Sequence, residues 1–276
     1  MMPPQALPEL TKGGRYNNNS DEFMVPPSLR FGLLDVVRLI GGAESEKLLA
    51  EILGTTGRGV ELAWIARALQ QFAPNKYRDI AVAGACELLD RPLAAEGSLL
   101  DRSDRDHLFS ILAMYGDTGY VASAQAHIVQ PDGAIDRDAL KYLQQSLGAQ
   151  SVTVAARAWS DSRLSDPVKK EPLARLALTF AGADQQANDF YVTAINDMGL
   201  TKDQRRNLIE DLNEAGFSDR KNLSATDLPL IENRLALIEQ LAPAAVDDAN
   251  AAAFKEAHKD LVNMRERITT PPSPPK

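Results

Sequence analysis

Four glycines, Gly116, Gly148, Gly182 and Gly216, fall 32, 34 and 34 residues apart, each at the end of an apolar stripe. Gly42 stands 74 residues before the first of them, about two further periods, and Pro74 in "APNKYRD" supplies the break between. A helix commonly closes on a left-handed residue, a conformation glycine reaches without the steric cost of a Cβ. Two residues after four of these glycines, the next segment opens with Glu44, Thr118, Gln150 or Asp184. A period in the thirties made of helix, turn and helix constrains the fold strongly. One such unit cannot bury its apolar face alone, whereas stacked neighbours bury it for one another. The chain is therefore expected to be all-α and of repeat type, an α-solenoid of about 12–13 helices.

The segments between the breaks carry helical spacing. Leu29, Leu33, Val36 and Ile40 lie at offsets 0, 4, 7 and 11, and Leu62, Ile65, Leu69 and Phe72 at 0, 3, 7 and 10. Comparable stripes are Leu108, Ile111, Leu112, Tyr115; Leu173, Leu176, Ala177, Phe180; and Tyr191, Ala194, Ile195, Met198. Each places one apolar stripe on one face of a helix. The β-branched run "SVTV" at 151–154 leads straight into "AARAW", so no sheet is predicted.

The stretch "LLDVVRLIGGAESEKLLAEIL" and its continuation "GRGVELAWIARALQQFAP" combine a glycine turn, a Leu-rich first helix and a second helix with Arg58, Ala63, Ala66 and Ala68. "LGAQSVTVAARAW" repeats part of this pattern. These residues resemble the HEAT-like repeat family, over about residues 29–200; the aromatic and proline positions of TPR-like repeats are not evident. The resemblance implies a right-handed solenoid of antiparallel helix pairs that binds its partners on a concave surface. Repeat motifs of this type speak for fold and say little about activity.

Residues 1–28 carry Pro3, Pro4, Pro8, Gly13, Gly14, Pro26 and Pro27 around a run of asparagines, a linker composition. Residues 29–268 are expected to form one helical repeat domain, and 269–276 a Pro-rich tail with a PxxP-like stretch at 271–275. The section 201–268 differs in texture and is expected to be an atypical C-terminal cap. There Thr201 and Gln204 form a capping box ahead of Leu208 and Leu212, Thr226 caps a helix carrying Ile231, Leu235 and Ile238, and a last helix runs from about Asp247 to Ile268.

A net charge of -8, with basic and acidic residues interleaved, disfavours nucleic acid as the main partner, because that affinity comes from basic groups displacing phosphate counterions. The single cysteine, Cys86, excludes an intrachain disulfide and has no neighbouring positive charge to make it reactive. No stretch reaches the ~18 apolar residues of a membrane span, and the N-terminus lacks signal-peptide character. The chain as given is expected to be cytoplasmic; an upstream signal or anchor would instead place it outside the cytoplasm.

Sites for chemistry are sparse. His107, His127 and His258 are scattered, without G-x-S-x-G or paired-histidine zinc spacing. "GG" at 41–42 and "GTTGRG" at 54–59 lack a preceding strand and a Lys-Ser/Thr, so they read as interhelical turns rather than phosphate loops. Asp101, Asp104 and Asp106 coincide with a helix start capped by Ser103, where acids favour the positive end of the helix dipole. "DLNEAGFSDRKN" at 211–222 is a degenerate calcium loop. Asp211, Asn213 and Asp219 fall at positions 1, 3 and 9, with Gly216 at 6 and the Phe217 carbonyl at 7. Ala215 at position 5 and Asn222 at position 12 fail to supply ligands.

Arg67, Arg157 and Trp159, with Trp64, are the candidate partner-binding residues if Arg67 and Arg157 sit on equivalent second helices lining the concave side. Helical DNA glycosylases of HEAT-like fold, which these residues resemble, use Trp, Arg and a carboxylate there. The expectation is a non-catalytic scaffold that binds another protein, with no cofactor, no catalytic residues and no nucleic acid. The alternatives are an enzyme with a site on the concave surface, such as a glycosylase, and a calcium-stabilised extracytoplasmic module.

Overall fold

In the computed structural model, residues 28–91, 104–217 and 219–270 are described. The predicted tails, apart from Ser28, Thr269 and Thr270, lie outside these residues, as do the PxxP stretch, Asp101 and Ser103. The helices are α1 Leu29–Ile40, α2 Gly42–Leu53, α3 Gly59–Phe72, α4 Arg78–Leu89, α5 Asp104–Met114, α6 Val121–His127, α7 Arg137–Leu147, α8 Ser151–Trp159, α9 Glu171–Phe180, α10 Gln185–Ile195, α11 Lys202–Glu210, α12 Leu228–Leu241 and α13 Asp248–Thr269. Among the described residues the only β-type pairing is an isolated bridge between Val129 and Ile135. The all-α expectation holds, and "SVTV" opens α8.

Gly42, Gly116, Gly148, Gly182 and Gly216 all have positive φ. Each interval between the last four holds two helices: α6 and α7, α8 and α9, α10 and α11. The longer interval from Gly42 to Gly116 holds four among its described residues, α2 to α5, and its inner break falls at the expected "APNKYRD", where Asn75 takes φ 62° directly after Pro74.

The chain divides into two compact units, one through Ala122 and one from Ser123, with α6 spanning the division. In the first unit α3 packs against α1, α2, α4 and α5. It buries Gly59 to Ala66 without interruption, then Ala68 and Leu69. A helix buried on nearly all sides belongs in a core, and Ala63, Ala66 and Ala68 let neighbours approach closely. In the second unit, α7 to α11 pack mainly on the next helix and the next but one, the local pattern of stacked units. The same neighbours meet beyond α11, where α13 packs against both α11 and α12.

In two places the structure differs from what spacing alone suggests. The stripe Leu29, Leu33, Val36 and Ile40 does not face inward: these side chains are exposed, and α1 is held instead by Phe31 and Leu34. The helix carries apolar residues on two faces, and periodicity alone does not say which one a neighbour covers. Thr226 is not the cap before α12. Ser224 forms a capping box with Asp227 one turn earlier, and a short 3-10 turn, Ala225–Asp227, leads into the helix. Thr201 and Gln204 form the expected capping box, and Asp247 caps α13 through the Asn250 N–H.

Candidate protein-interaction surface

The outer face of α1 is the largest exposed apolar feature of a single described helix. Leu29 is 81 % exposed, Leu33 58 %, Ile40 75 %, and Val36 and Leu39 are also exposed. Ser28 opens this helix, its Oγ accepting from the Phe31 N–H. Two groups of contacts hold it down. Phe31 meets Trp64 of α3 edge to face, with ring centroids 6.4 Å apart. Arg30 donates from Nε and Nη2 to the two carboxylate oxygens of Glu61, both at 2.7 Å. Glu61 is buried and the Arg30 side chain is half solvated, so a planar guanidinium spans the boundary between core and water. Hydrogen bonding to Glu61 holds the Arg30 guanidinium above its ordinary pKa. The outer apolar row is thus carried on a helix whose position is determined by its inner row.

The predicted partner-binding residues are dispersed. Arg67, on α3, donates to Ser110 Oγ at 2.8 Å, and Ser110 in turn donates to the His107 carbonyl at 2.6 Å. Burial, then the Arg67 charge, lowers the His107 pKa, while Asp106 opposes the shift. An acid, a histidine and an arginine are therefore close in space. The Ser110 hydroxyl nevertheless gives its proton to a main-chain carbonyl rather than to a histidine nitrogen, so this is not an activated nucleophile. Trp64 and Trp159 are core residues, and Trp159 packs edge to face on Phe190 at 5.4 Å. Arg157 is exposed. Counted from the preceding glycine breaks, Arg67 sits on the second helix of its interval and Arg157 on the first, so the two are not equivalent.

The calcium-like ligands are not brought together. Asp211 accepts from Arg175 at 2.6 Å, Asn213 donates to Asp260 at 2.6 Å, and Asp219 accepts from the Lys221 N–H and the Asn222 side chain. The loop's carbonyls serve a different cation. Arg234 of α12, 0 % exposed, donates to the carbonyls of Leu212 and Ala215, and also to Leu178 and Ala181 at the end of α9. Its guanidinium stacks on the Phe217 ring, 5.1 Å from the centroid. Burial pushes its pKa down to about 10, so it stays charged at neutral pH. The negative end of the α9 dipole offsets part of the desolvation cost. Gly216 is required beside it: φ is 81°, and a Cβ there would lie 2.5 Å from the Thr179 carbonyl oxygen.

Sequence reasoning missed Arg234 and the equally buried Arg205, which donates to the Leu200 carbonyl and Asp247. The signal was present. Arg234 falls on the stripe Ile231, Leu235, Ile238, and Arg205 on the stripe Leu208, Leu212.

Other candidates carry little chemistry. Burial, with Asp117 and Asp90, raises the Cys86 pKa, away from a reactive thiolate. Among the described residues no group of three or more His, Cys, Asp or Glu is placed to hold a metal ion, and no described helix is long and apolar enough to cross a membrane. A surface depression lined by Glu46, Lys47, Glu51, Lys76 and Tyr77 is crossed by Glu46 accepting from Lys76 and the Tyr77 hydroxyl. Comparison with protein-family models, curated proteins and solved structures returns no match.

Proposed function

We propose that this chain is a non-catalytic protein-interaction module, its helices stacked as HEAT-like antiparallel pairs, and that the outer face of α1 is its principal contact. The observation that carries the reading is the row Leu29, Leu33, Val36 and Ile40, exposed on a helix that is already anchored by its opposite side. Contiguous exposed apolar side chains on a folded domain mark places where another surface docks. The acid, histidine and arginine near Ser110 give no comparable support to an enzyme, because the hydroxyl has no side-chain base. The calcium reading is weakened by Arg234, whose permanent charge already takes two carbonyls of the loop.

The test is a photo-reactive amino acid placed at Leu33 in the native cell, compared with the same group at Lys255, an exposed residue of α13. The expected result is a discrete adduct of increased mass at position 33 and none at 255. Absence of any adduct at 33 overturns the reading.

A further inference from the structure

We infer that the outer row of α1 is a self-association seam, and that its occupant is a second copy of this chain; this rests on the interaction reading above. Leu29, Leu33, Val36 and Ile40 follow the 4-3-4 spacing of the apolar positions of a heptad, which two helices use to interlock side chains. A face of that spacing is shaped for a helix. Identity of the partner follows from charge and area. No charged residue lies within the row. Of the charges on the same helix, Arg30 is bound to Glu61, and Asp35 is paired with Arg38 at 2.9 Å. Bringing this face against itself therefore opposes no free like charges, the usual obstacle to pairing identical surfaces. Leu39 widens the row on one flank, and Gly32 leaves room on the same side.

A two-fold axis crossing the helix between Leu33 and Val36 closes the pair and leaves no open surface for further growth. In that register Leu29 meets Ile40 of the second copy, Leu33 meets its Val36, and Leu39 lies beside its Gly32. Covering the exposed parts of these side chains removes about 600 Å² per copy, or about 1,200 Å² in all, which places the pair at the lower end of specific interfaces. A dissociation constant on the order of 10 µM is expected for such a contact.

Sedimentation equilibrium of the full chain between about 1 and 100 µM tests this, comparing the natural protein with Leu33→Glu and, as a milder substitution, Ile40→Ser. The expected result is a dimer at the upper concentration, a dissociation constant raised at least ~100-fold by Leu33→Glu and ~10-fold by Ile40→Ser, and unchanged helicity in both variants. A natural protein that stays monomeric throughout, or a dimer that survives both substitutions, overturns the inference. The adduct at Leu33 separates the two levels of failure. If the chain is monomeric and the adduct is with a different protein, the second copy is excluded while the interaction reading stands. If no adduct forms, both fall.

Discussion

The first described helix, α1, and the last, α13, both pack by one face, yet their outer faces differ in kind. Along α13, Ala253, Phe254, Ala257, Leu261 and Met264 are buried, and Lys255, Glu256, Lys259 and Glu266 stand in water. Along α1, Phe31 and Leu34 are buried, and the side facing solvent is leucine, valine and isoleucine. Stacked helical units need a polar outer face wherever stacking stops, since an apolar one invites another layer. By that criterion the outer face of α13 suits water, and that of α1 suits another apolar surface. The polar groups agree with this. Around α12 and α13, buried Arg234 and Arg205 donate to main-chain carbonyls within the fold, whereas the apolar row of α1 stays exposed.

The strongest way to break the contrast is to remove the Arg234 guanidinium from the C-terminal region. Arg234→Ala leaves several buried carbonyls short of a donor and opens a cavity beside Phe217, and is expected to destabilise the second unit by about 4 kcal/mol or more, read by urea unfolding. Retention of full stability would mean that the web around Arg234 is incidental. Gly216→Ala imposes both a left-handed φ and a close approach to the Thr179 carbonyl, with an expected loss of about 2–3 kcal/mol in the same assay. Gly148→Ala, also at positive φ but with open space around its Cβ, is expected to cost only about 1 kcal/mol.

A smaller effect comes from acid. Hydrogen bonding from the Asn250 N–H, opposed by burial and aided by Arg205, holds the Asp247 carboxyl below its ordinary pKa. A carboxylate with a depressed folded value contributes stability in full above the unfolded value of about 3.9, and that contribution is lost as pH falls through the lower folded value. Asp247→Asn, which keeps a capping side chain but no charge, is expected to lower the urea midpoint at pH 7 modestly and to flatten the acid limb of the stability curve, the two proteins converging at low pH. An unchanged acid limb would place the effect elsewhere. The smallest change is expected at α1. Leu33→Glu alters the stability of the isolated monomer by less than about 0.5 kcal/mol, because the side chain is already in water, while the same substitution at Leu261 of α13 unfolds its region. Loss of stability at Leu33 comparable to that at Leu261 would erase the distinction between the two ends.

Much of this architecture was legible from residue spacing. Glycine recurrence located the interhelical breaks, because a left-handed turn at a helix end selects glycine locally, and the Thr201–Gln204 box and the Asp247 cap were readable for the same reason: each is satisfied within four residues. The sequence by itself therefore determined that the chain is helical and where about every second helix stops. It left the orientation of α1 undecided, since Phe31 with Leu34 and Leu29 with Leu33 are both apolar pairs at helical spacing, and only the presence of Trp64 against one of them chose the inner face. Arg234 belongs to the same class. Its four carbonyl partners lie 19 to 56 residues away in sequence, so the loop at 211–222 offered the look of a cation site, and tertiary packing supplied the cation from within the chain. Local backbone geometry is encoded by neighbours in sequence, whereas which surface is covered, and which charge is buried, depends on what the fold brings from afar.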